Sequence, residues 1–224
     1  MSGLKPIVVY KSGPSPNPWK VILVLEELGI PYEIIEIGFF DVKKEPLISL
    51  NPNGRVPAIQ DPNKDIVLWE SGAIVDYLID VYDKNAVLHY TTSPQKYQTR
   101  CWEHFQMSGQ GPPFGQKRWF EVMHPERIPS AVERFSDEIK RVTGVIDSHL
   151  EKQGTDYLVG NQVTYADLMF IPYAVGLKTV TAPEIDTSVW KHYTAWLERL
   201  SKRPAVAKVL AVWEAEVEKL IKQG

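Results

Sequence analysis

Residues 7–37, IVVYKSGPSPNPWKVILVLEELGIPYEIIEI, decide how the first part of this chain folds. The apolar run at residues 7–10 is typical of a short β-strand, and a loop rich in Pro, Ser, Gly and Asn follows it. Across residues 19–28 apolar side chains recur at helical spacing, and the glycine after them stands where helices commonly end. Residues 32–37 are a second β-rich run, so the stretch predicts a βαβ unit.

A ββα unit is predicted to follow it. Three prolines in residues 51–62 enclose a short strand near residues 57–60, and residues 66–69 form another. Apolar positions within residues 72–82 then share one helical face. The mixed residues 83–93 read as a linker, which predicts one domain at residues 1–85 and another at residues 93–224.

The second predicted domain is entirely helical. Its longest amphipathic segment has apolar residues at spacings of three and four, as expected for a member of a helical bundle. Thr164 and Asp167 form a capping box that predicts a helix start, a folding device to which we assign no chemistry. The predicted helices lie near residues 94–106, 128–152, 165–176, 189–201 and 204–222.

Composition excludes several classes of protein. The chain has 224 residues, of which 44% are hydrophobic and 24% charged, as in soluble globular proteins. Its apolar runs are far shorter than the roughly 20 residues of a membrane-spanning helix. A net charge of −3 gives no basic footprint for nucleic acid or for an anionic membrane. Residues 1–6 lack the apolar core of a secretory leader, so we expect none.

Cysteine and histidine usage narrows the chemistry. Cys101 is the single cysteine, which excludes an intramolecular disulfide, a Cys-x-x-Cys pair and a cysteine-rich zinc module, and favours a reducing, cytoplasmic setting. We expect Cys101 to be buried beside Tyr97, Trp102 and Phe105 on one helix rather than to act as a nucleophile. The five histidines show no metal-like spacing, so no metal is expected.

The start of the first helix is the first candidate site. The βαβ-then-ββα order followed by helices is that of a thioredoxin-like domain joined to a bundle, and such domains carry Cys-x-x-Cys-x-Lys here. In this chain Ser15 and Pro18 replace both cysteines, so the thiol must come from a ligand, which the helix N-terminus would stabilise as a thiolate. Alternatively, Asn17 caps the helix and Pro18 occupies its first position.

Two further segments suit a peptide-like ligand. A cis bond at Val56–Pro57 would turn the Val56 backbone outward to pair with an extended peptide; otherwise Pro57 protects a sheet edge from aggregation. At a helix start, the Ser71 hydroxyl suits a carboxylate and Glu70 an ammonium, which together suit an α-amino acid group. Otherwise Ser71 is a plain cap with an acidic neighbour.

These motifs, together with others spread over almost the whole chain, resemble those of glutathione transferases. The similarity is greatest to the fungal group around the yeast nitrogen-catabolite regulator and to the bacterial nu-class disulfide-bond reductases. The matching segments, in order, are SPN (15–17), NPNGRVPA (51–58), WESGAI (69–74), FQMSGQGPPFGQ (105–116), AVER (131–134), YLVG (157–160) and RPAV (203–206).

The resemblance implies an α/β thioredoxin-like N-terminal domain that binds glutathione, followed by an all-α helical-bundle C-terminal domain. Glutathione would be the co-substrate, with no metal. Val56, followed by Pro57, would pair with the cysteinyl backbone, and Glu70 and Ser71 would hold the γ-glutamyl end. Asn17 would lie near the sulfur.

The resemblance also implies roles for residues that contact the rest of the ligand. Ser15 or Asn17 would donate a hydrogen bond to the glutathione thiolate, and we favour Asn17. Arg134 matches an arginine that contacts oxidised glutathione in the bacterial relatives. Where relatives contact the glycyl end with His or Gln, this chain has Val42, and Lys43 or the neighbouring Lys44 would take over that carboxylate.

Phe114, Trp119 and Phe120 would line a pocket for an apolar second substrate, unless they serve core or interface packing. The implied reactions are conjugation of glutathione to an electrophile and reduction of disulfides or peroxides, with oxidised glutathione as a further ligand. A non-catalytic regulatory or scaffold protein is the alternative, without prion-like regulation, since the fold begins within the first several residues. A homodimer is expected.

Overall fold

A four-stranded mixed sheet forms the centre of the N-terminal unit in the computed structural model, which describes residues 3–223. The strand order is β2-β1-β3-β4, with β1 parallel to β2 and antiparallel to β3, and with β3 antiparallel to β4. The strands are β1 (Ile7–Lys11), β2 (Tyr32–Glu36), β3 (Ala58–Asp61) and β4 (Ile66–Trp69).

Three helices connect these strands or follow them. They are α1 (Pro16–Leu28), α2 (Leu47–Leu50) and α3 (Ser71–Tyr82), which confirms the predicted βαβ-then-ββα order and adds the short α2. α1 is buried around most of its circumference, because the sheet, α3 and the C-terminal helix all pack against it. It ends at Gly29, whose φ of 64° is the left-handed conformation predicted from the glycine.

The C-terminal helix α9 (Pro204–Gln223) packs against α1. Arg203, just before α9, makes a bidentate ion pair with Glu27 at 2.7 and 2.8 Å, and Lys208 contacts Glu26 at 2.8 Å. Contacts accordingly group Ser201–Gly224 with Met1–Val87 in one unit, and Leu88–Leu200 form the other. The predicted domain boundaries stay a prediction.

The second unit is all-α within the described residues, as predicted. In α6, buried Ile139, Val142, Ile146 and Leu150 follow the predicted apolar stripe. π-helical turns at Gln106–Gln110 and Trp119–Met123 flank α5, a helix that was not predicted. The helices are α4 (Gln95–Phe105), α5 (Gly111–Arg118), α6 (Pro129–Gln153), α7 (Tyr165–Gly176) and α8 (Lys191–Ser201), and another π-helical turn follows α7 at Leu177–Thr181.

The predicted capping box at the start of α7 is confirmed. The fully buried Asp167 carboxylate accepts hydrogen bonds from the Thr164 backbone N–H at 2.9 Å and from its hydroxyl at 2.8 Å. It also accepts from the Leu158 N–H at 3.0 Å and from the Trp196 indole at 2.9 Å. Burial raises the pKa of Asp167, and these four donors oppose that rise. The helix start is therefore fixed to the core.

The prediction that Cys101 is buried is wrong, because its side chain is exposed. The buried positions of α4 and the turn after it are the polar residues Thr99, Glu103, Gln106 and Gln110, and Cys101 is not among them. Because the inward face of α4 carries polar side chains, hydrophobic periodicity identifies the wrong face.

Within residues 3–223, no helix combines the length and the apolar composition needed to cross a membrane.

Candidate functional site

The strand register brings three segments to one end of the sheet. Ala58, the first residue of β3, lies opposite Tyr10 near the end of β1 and opposite Trp69 at the end of β4. The segments that follow β1 and β4 therefore lie at the same end of the sheet as the segment that precedes β3. The segments that lead away from or into these strand ends contain Ser15, Asn17, Val56, Pro57, Glu70 and Ser71, and we call these residues the sheet-end site.

The start of α1 differs from the predicted cap. Ser15 is the N-cap residue and Pro16 the first helical residue, so the interpretation of Asn17 as cap and Pro18 as first residue is wrong. Prolines have no backbone N–H, so Asn17 carries the single backbone donor among the first three helical positions. Hydrogen bonding at this helix start thus depends strongly on the side chains of Ser15 and Asn17, both of them partly exposed.

Side chains of α9 contact the end of β1 and the loop that leads into α1. Lys11 is 2% exposed and pairs with Glu36 at 2.5 Å and with Glu216 of α9 at 2.8 Å. The Trp213 indole N–H donates to the Pro14 carbonyl at 3.2 Å. Sequence reasoning missed these residues because the partners in α9 lie some two hundred positions away in the chain.

The Asn51 side chain stabilises the turn that precedes Val56–Pro57, the second segment of the site. Asn51 is 2% exposed, donates from Nδ2 to the Arg55 carbonyl at 2.7 Å and accepts the Asn53 N–H at 2.9 Å. The turn delivers the chain to Val56–Pro57, whose peptide bond is cis, as predicted. The Asn-Pro-x-Gly pattern is typical of such a turn, but the sequence alone did not predict that the Asn51 side chain braces it.

Val42 and the two lysines proposed to replace it as the glycyl-end contact lie in different surroundings. Val42 packs against the apolar cluster that includes Tyr10 and Leu47. Lys43 donates to the Asn53 carbonyl at 2.8 Å, so it lies beside the turn that leads into Val56. Lys44 instead pairs with Asp41 at 2.7 Å. Of the two lysines, Lys43 is therefore the one held next to the sheet-end site, and its role stays a prediction.

The third segment has a strained backbone. Glu70, the N-cap residue of α3, has φ 70° and ψ 116°, a conformation that side-chain-bearing residues rarely adopt. Ser71 is the first helical residue and is 2% exposed, so the interpretation of Ser71 as a plain cap is wrong. The backbone N–H groups of Ser71, Gly72 and Ala73 lie in the first turn of α3, which favours an anion there.

Lys20 is a residue that sequence reasoning left without a role. Its side chain is 1% exposed, and its amine donates to the Ser71 hydroxyl at 3.4 Å. Burial lowers the pKa of Lys20 to about 7, and the negative charge of Glu70 opposes this by raising it. The lysine of the Cys-x-x-Cys-x-Lys pattern was the signal that marked this position.

Arg134 lies in the second unit, exposed on α6. It belongs to a shallow groove whose other lining residues are also on α6. The Arg141 guanidinium, 2.6 Å from Glu138, lowers the pKa of that carboxyl, and Arg134 adds a smaller effect in the same direction. The lining residues are Ser130, Glu133, Arg134, Asp137, Glu138 and Arg141.

The three aromatic residues predicted for a second-substrate pocket differ in how deeply they are buried. Phe114 is 1% exposed and makes an edge-to-face contact with Tyr173, with ring centroids 5.9 Å apart, which favours its packing interpretation. Phe120 stacks on Phe135 at 5.8 Å. Trp119 is 45% exposed, so it is the most accessible of the three rings, and its role stays a prediction.

Among the residues that the structure describes, no three or more His, Cys, Asp or Glu side chains are grouped so as to hold a metal ion.

Two family models match separate segments of the chain. Residues 14–81 match the family model "Glutathione S-transferase, N-terminal domain", and residues 120–212 match "Glutathione S-transferase, C-terminal domain". A glutathione S-transferase-like protein of Beauveria bassiana, OpS6, is 49% identical over 213 residues, covering 94% of this chain and 97% of the relative. The transcriptional regulator URE2 of Saccharomyces cerevisiae is 33% identical, covering 92% of this chain and 68% of the regulator.

A solved structure agrees with the sequence relatives. The glutathione transferase URE2P6 of Phanerochaete chrysosporium, in complex with oxidised glutathione, has a TM-score of 0.87 and 40% identity, and covers 96% of this chain and 100% of that one. The family resemblance and the thioredoxin-like fold with a helical C-terminal domain are thereby confirmed. This chain belongs to the glutathione S-transferase family.

Proposed function

We propose that this protein is a glutathione-dependent transferase that binds glutathione at the sheet-end site and activates its thiolate beside Asn17. The observation that carries the proposal is the convergence of the α1 start, the Val56–Pro57 segment and the Glu70–Ser71 pair at one end of the sheet. The complex of the Phanerochaete relative with oxidised glutathione supports it.

Each segment suits one part of the tripeptide. The backbone of Val56 pairs with the extended cysteinyl residue, as an added strand pairs with a sheet edge. The γ-glutamyl carboxylate binds at the start of α3, on the Ser71 hydroxyl and the first N–H groups, while Glu70 pairs with its ammonium. Lys43, beside the turn at Asn53, takes the glycyl carboxylate.

The α1 start performs the chemistry. A free thiol has a pKa of roughly 8.5, and a hydrogen bond donated to the thiolate lowers it. The Asn17 amide and the Ser15 hydroxyl supply such donors where Pro16 and Pro18 supply none. The thiolate sulfur then attacks the electrophilic atom of the second substrate and forms a thioether as the leaving group departs. Trp119 is the proposed contact for an apolar second substrate.

Disulfide reduction is the second candidate reaction, favoured by the exposed Arg134 and by the relative's complex with oxidised glutathione. In that reaction the thiolate attacks one sulfur of the substrate and releases the other as a thiol. A second glutathione then attacks the mixed disulfide, which releases the reduced substrate and leaves oxidised glutathione.

A regulatory or scaffold role is the alternative from a different class, because one relative is named a transcriptional regulator. Asn17→Ala separates the two. If the protein is an enzyme, kcat/KM for conjugation of glutathione to a chlorodinitrobenzene falls about tenfold to a hundredfold, since a hydrogen bond to an ion is lost. The Kd for glutathione changes little.

Asn85→Ala is the matched control, since Asn85 is exposed in the turn after α3, and it retains the wild-type rate. Equal rates for Asn17→Ala and the wild type would remove Asn17 from the mechanism. No conjugation or disulfide reduction by a wild-type protein that binds glutathione would favour the regulatory role.

A further inference from the structure

Two charges of opposite sign lie at the start of α3 within the first unit. Glu70 carries the negative charge at the N-cap, and Lys20 carries the positive one beneath Ser71, 3.4 Å from the serine hydroxyl. The two side chains differ in accessibility, because Glu70 is exposed whereas Lys20 is 1% exposed. A ligand approaching α3 therefore meets a carboxylate at the surface and an amine below it.

We infer that Lys20 is a specificity-determining residue that selects ligands carrying an α-carboxylate next to an α-ammonium, as the γ-glutamyl group of glutathione does. The inference rests on the proposed function and adds Lys20 to it, with a separate protein charge assigned to each charge of the ligand. Glu70 recognises the ammonium, whereas Lys20 and the Ser71 hydroxyl beside it recognise the carboxylate.

The charges of the ligand and of the two side chains support these assignments. A zwitterionic head group placed against Glu70 alone brings two carboxylates together with one ammonium. Two carboxylates placed side by side repel each other. With the Lys20 ammonium present, each charge of the head group has an opposite charge nearby. The Ser71 hydroxyl and the helix N-terminus then add neutral donors to the same carboxylate.

The effect of burial on Lys20 agrees with this role. Burial lowers the pKa of Lys20 to about 7, because the buried ammonium loses most of its hydration, and a neighbouring negative charge opposes this. An arriving carboxylate favours the ammonium form and raises that pKa again. The positive charge is therefore most strongly stabilised when the ligand carries the matching group.

The test removes one charge from the protein and one from the ligand. Glutaryl-cysteinylglycine keeps the carboxylate of the γ-glutamyl group and lacks its ammonium, whereas γ-aminobutyryl-cysteinylglycine keeps the ammonium and lacks the carboxylate. S-methyl derivatives of both peptides and of glutathione are titrated by calorimetry into the wild type, Lys20→Met and Glu70→Gln. The S-methyl group prevents thiol oxidation during the titration.

For Lys20→Met we expect the Kd values of glutathione and of the glutaryl peptide to rise about tenfold or more, because a charge-assisted interaction is lost. The Kd of the γ-aminobutyryl peptide stays within about twofold of that of the wild type. Glu70→Gln gives the reverse pattern. Equal weakening of both peptides by Lys20→Met, or no weakening of either, overturns the inference.

The ratio of two Kd values in one variant is insensitive to a loss of folded protein, because both peptides titrate the same sample. Lys20→Gln provides a second, more polar replacement and is expected to give the same selective loss. Wild-type protein that binds no S-methylglutathione overturns the proposed function itself. Wild-type binding with an unaltered Lys20→Met ratio overturns the assignment of Lys20 alone.

Discussion

Asn17 and Lys20 lie about one helical turn apart on α1, and the sequence indicated only the first of them. Asn17 is visible because it stands in a loop-to-helix segment where thioredoxin-like domains carry cysteine. The role of Lys20 can be inferred only from the structure, because it depends on Ser71 and Glu70, which lie some fifty residues away in the chain. Residue types at a site are thus easier to predict than the charges that balance them.

Glu70 shows a trade-off between stability and binding at one residue. Its positive φ is costly for a residue with a Cβ and not for glycine. We predict that Glu70→Gly is more stable than Glu70→Ala by about 1 kcal/mol, although both variants lose the carboxylate and bind glutathione equally weakly. Urea denaturation and glutathione titration measure the two effects. Equal stability of the variants would show that the backbone relaxes and is not strained.

At the level of elements, Asp61 joins the β3–β4 hairpin to α3. Its carboxylate is 1% exposed and accepts hydrogen bonds from the hydroxyls of Tyr77, at 2.6 Å, and of Tyr82. It also accepts the backbone N–H of Asn63 at 2.8 Å. Burial alone would raise the pKa of Asp61, but these donors outweigh burial and lower it.

Asp61→Asn is predicted to destabilise the protein by about 1–3 kcal/mol at neutral pH, since one acceptor oxygen becomes a donor that faces phenol hydroxyls. A lowered folded-state pKa means that the carboxylate stabilises the fold above the unfolded-state pKa. This stabilisation disappears as the pH falls through the folded-state value. The stability gap between the wild type and Asp61→Asn therefore narrows in acid, as urea titrations at several pH values would show.

Asp65→Asn is the control for that series, since Asp65 is exposed in the same hairpin and its φ of 53° suits asparagine. Its stability should follow the wild type at every pH. A gap for Asp61→Asn that stays constant down to strongly acidic pH would contradict the assigned role of the Asp61 charge.

Local signals explain which elements were predictable. Gly29 and the Thr164–Asp167 box lie next to the helix ends that they define, so their pattern alone predicts them correctly. The start of α1 was misplaced because prolines at both 16 and 18 suit a first turn. Cys101 was misplaced because α4 buries polar residues, which periodicity counts as surface.

At the level of the whole molecule, the first unit is built from both ends of the chain. Val206, Val209, Trp213 and Val217 of α9 are buried, and α9 packs on α1. Hydrophobic periodicity predicts that α9 exists but cannot say which unit it joins, because every amphipathic helix has a face in need of a partner. The contact of Trp213 with the Pro14 carbonyl links this packing to the loop before Ser15.

The quaternary state is a further prediction at this scale. Phe39 and Phe40 are 59% and 86% exposed, and apolar surface of this kind is commonly covered in subunit interfaces. We expect a homodimer, with light scattering at neutral pH giving twice the 25.5 kDa mass of the chain. A mass equal to that of one chain at micromolar concentration would contradict the expectation.

The central claim is that the sheet-end site binds glutathione, and titration calorimetry of the wild-type protein and Ser71→Ala tests it most directly. We predict that the wild type binds reduced glutathione and that Ser71→Ala binds it more weakly, by about tenfold. Tighter binding of oxidised than of reduced glutathione would favour disulfide reduction within the same claim. Binding of neither form by the folded wild-type protein would contradict the account.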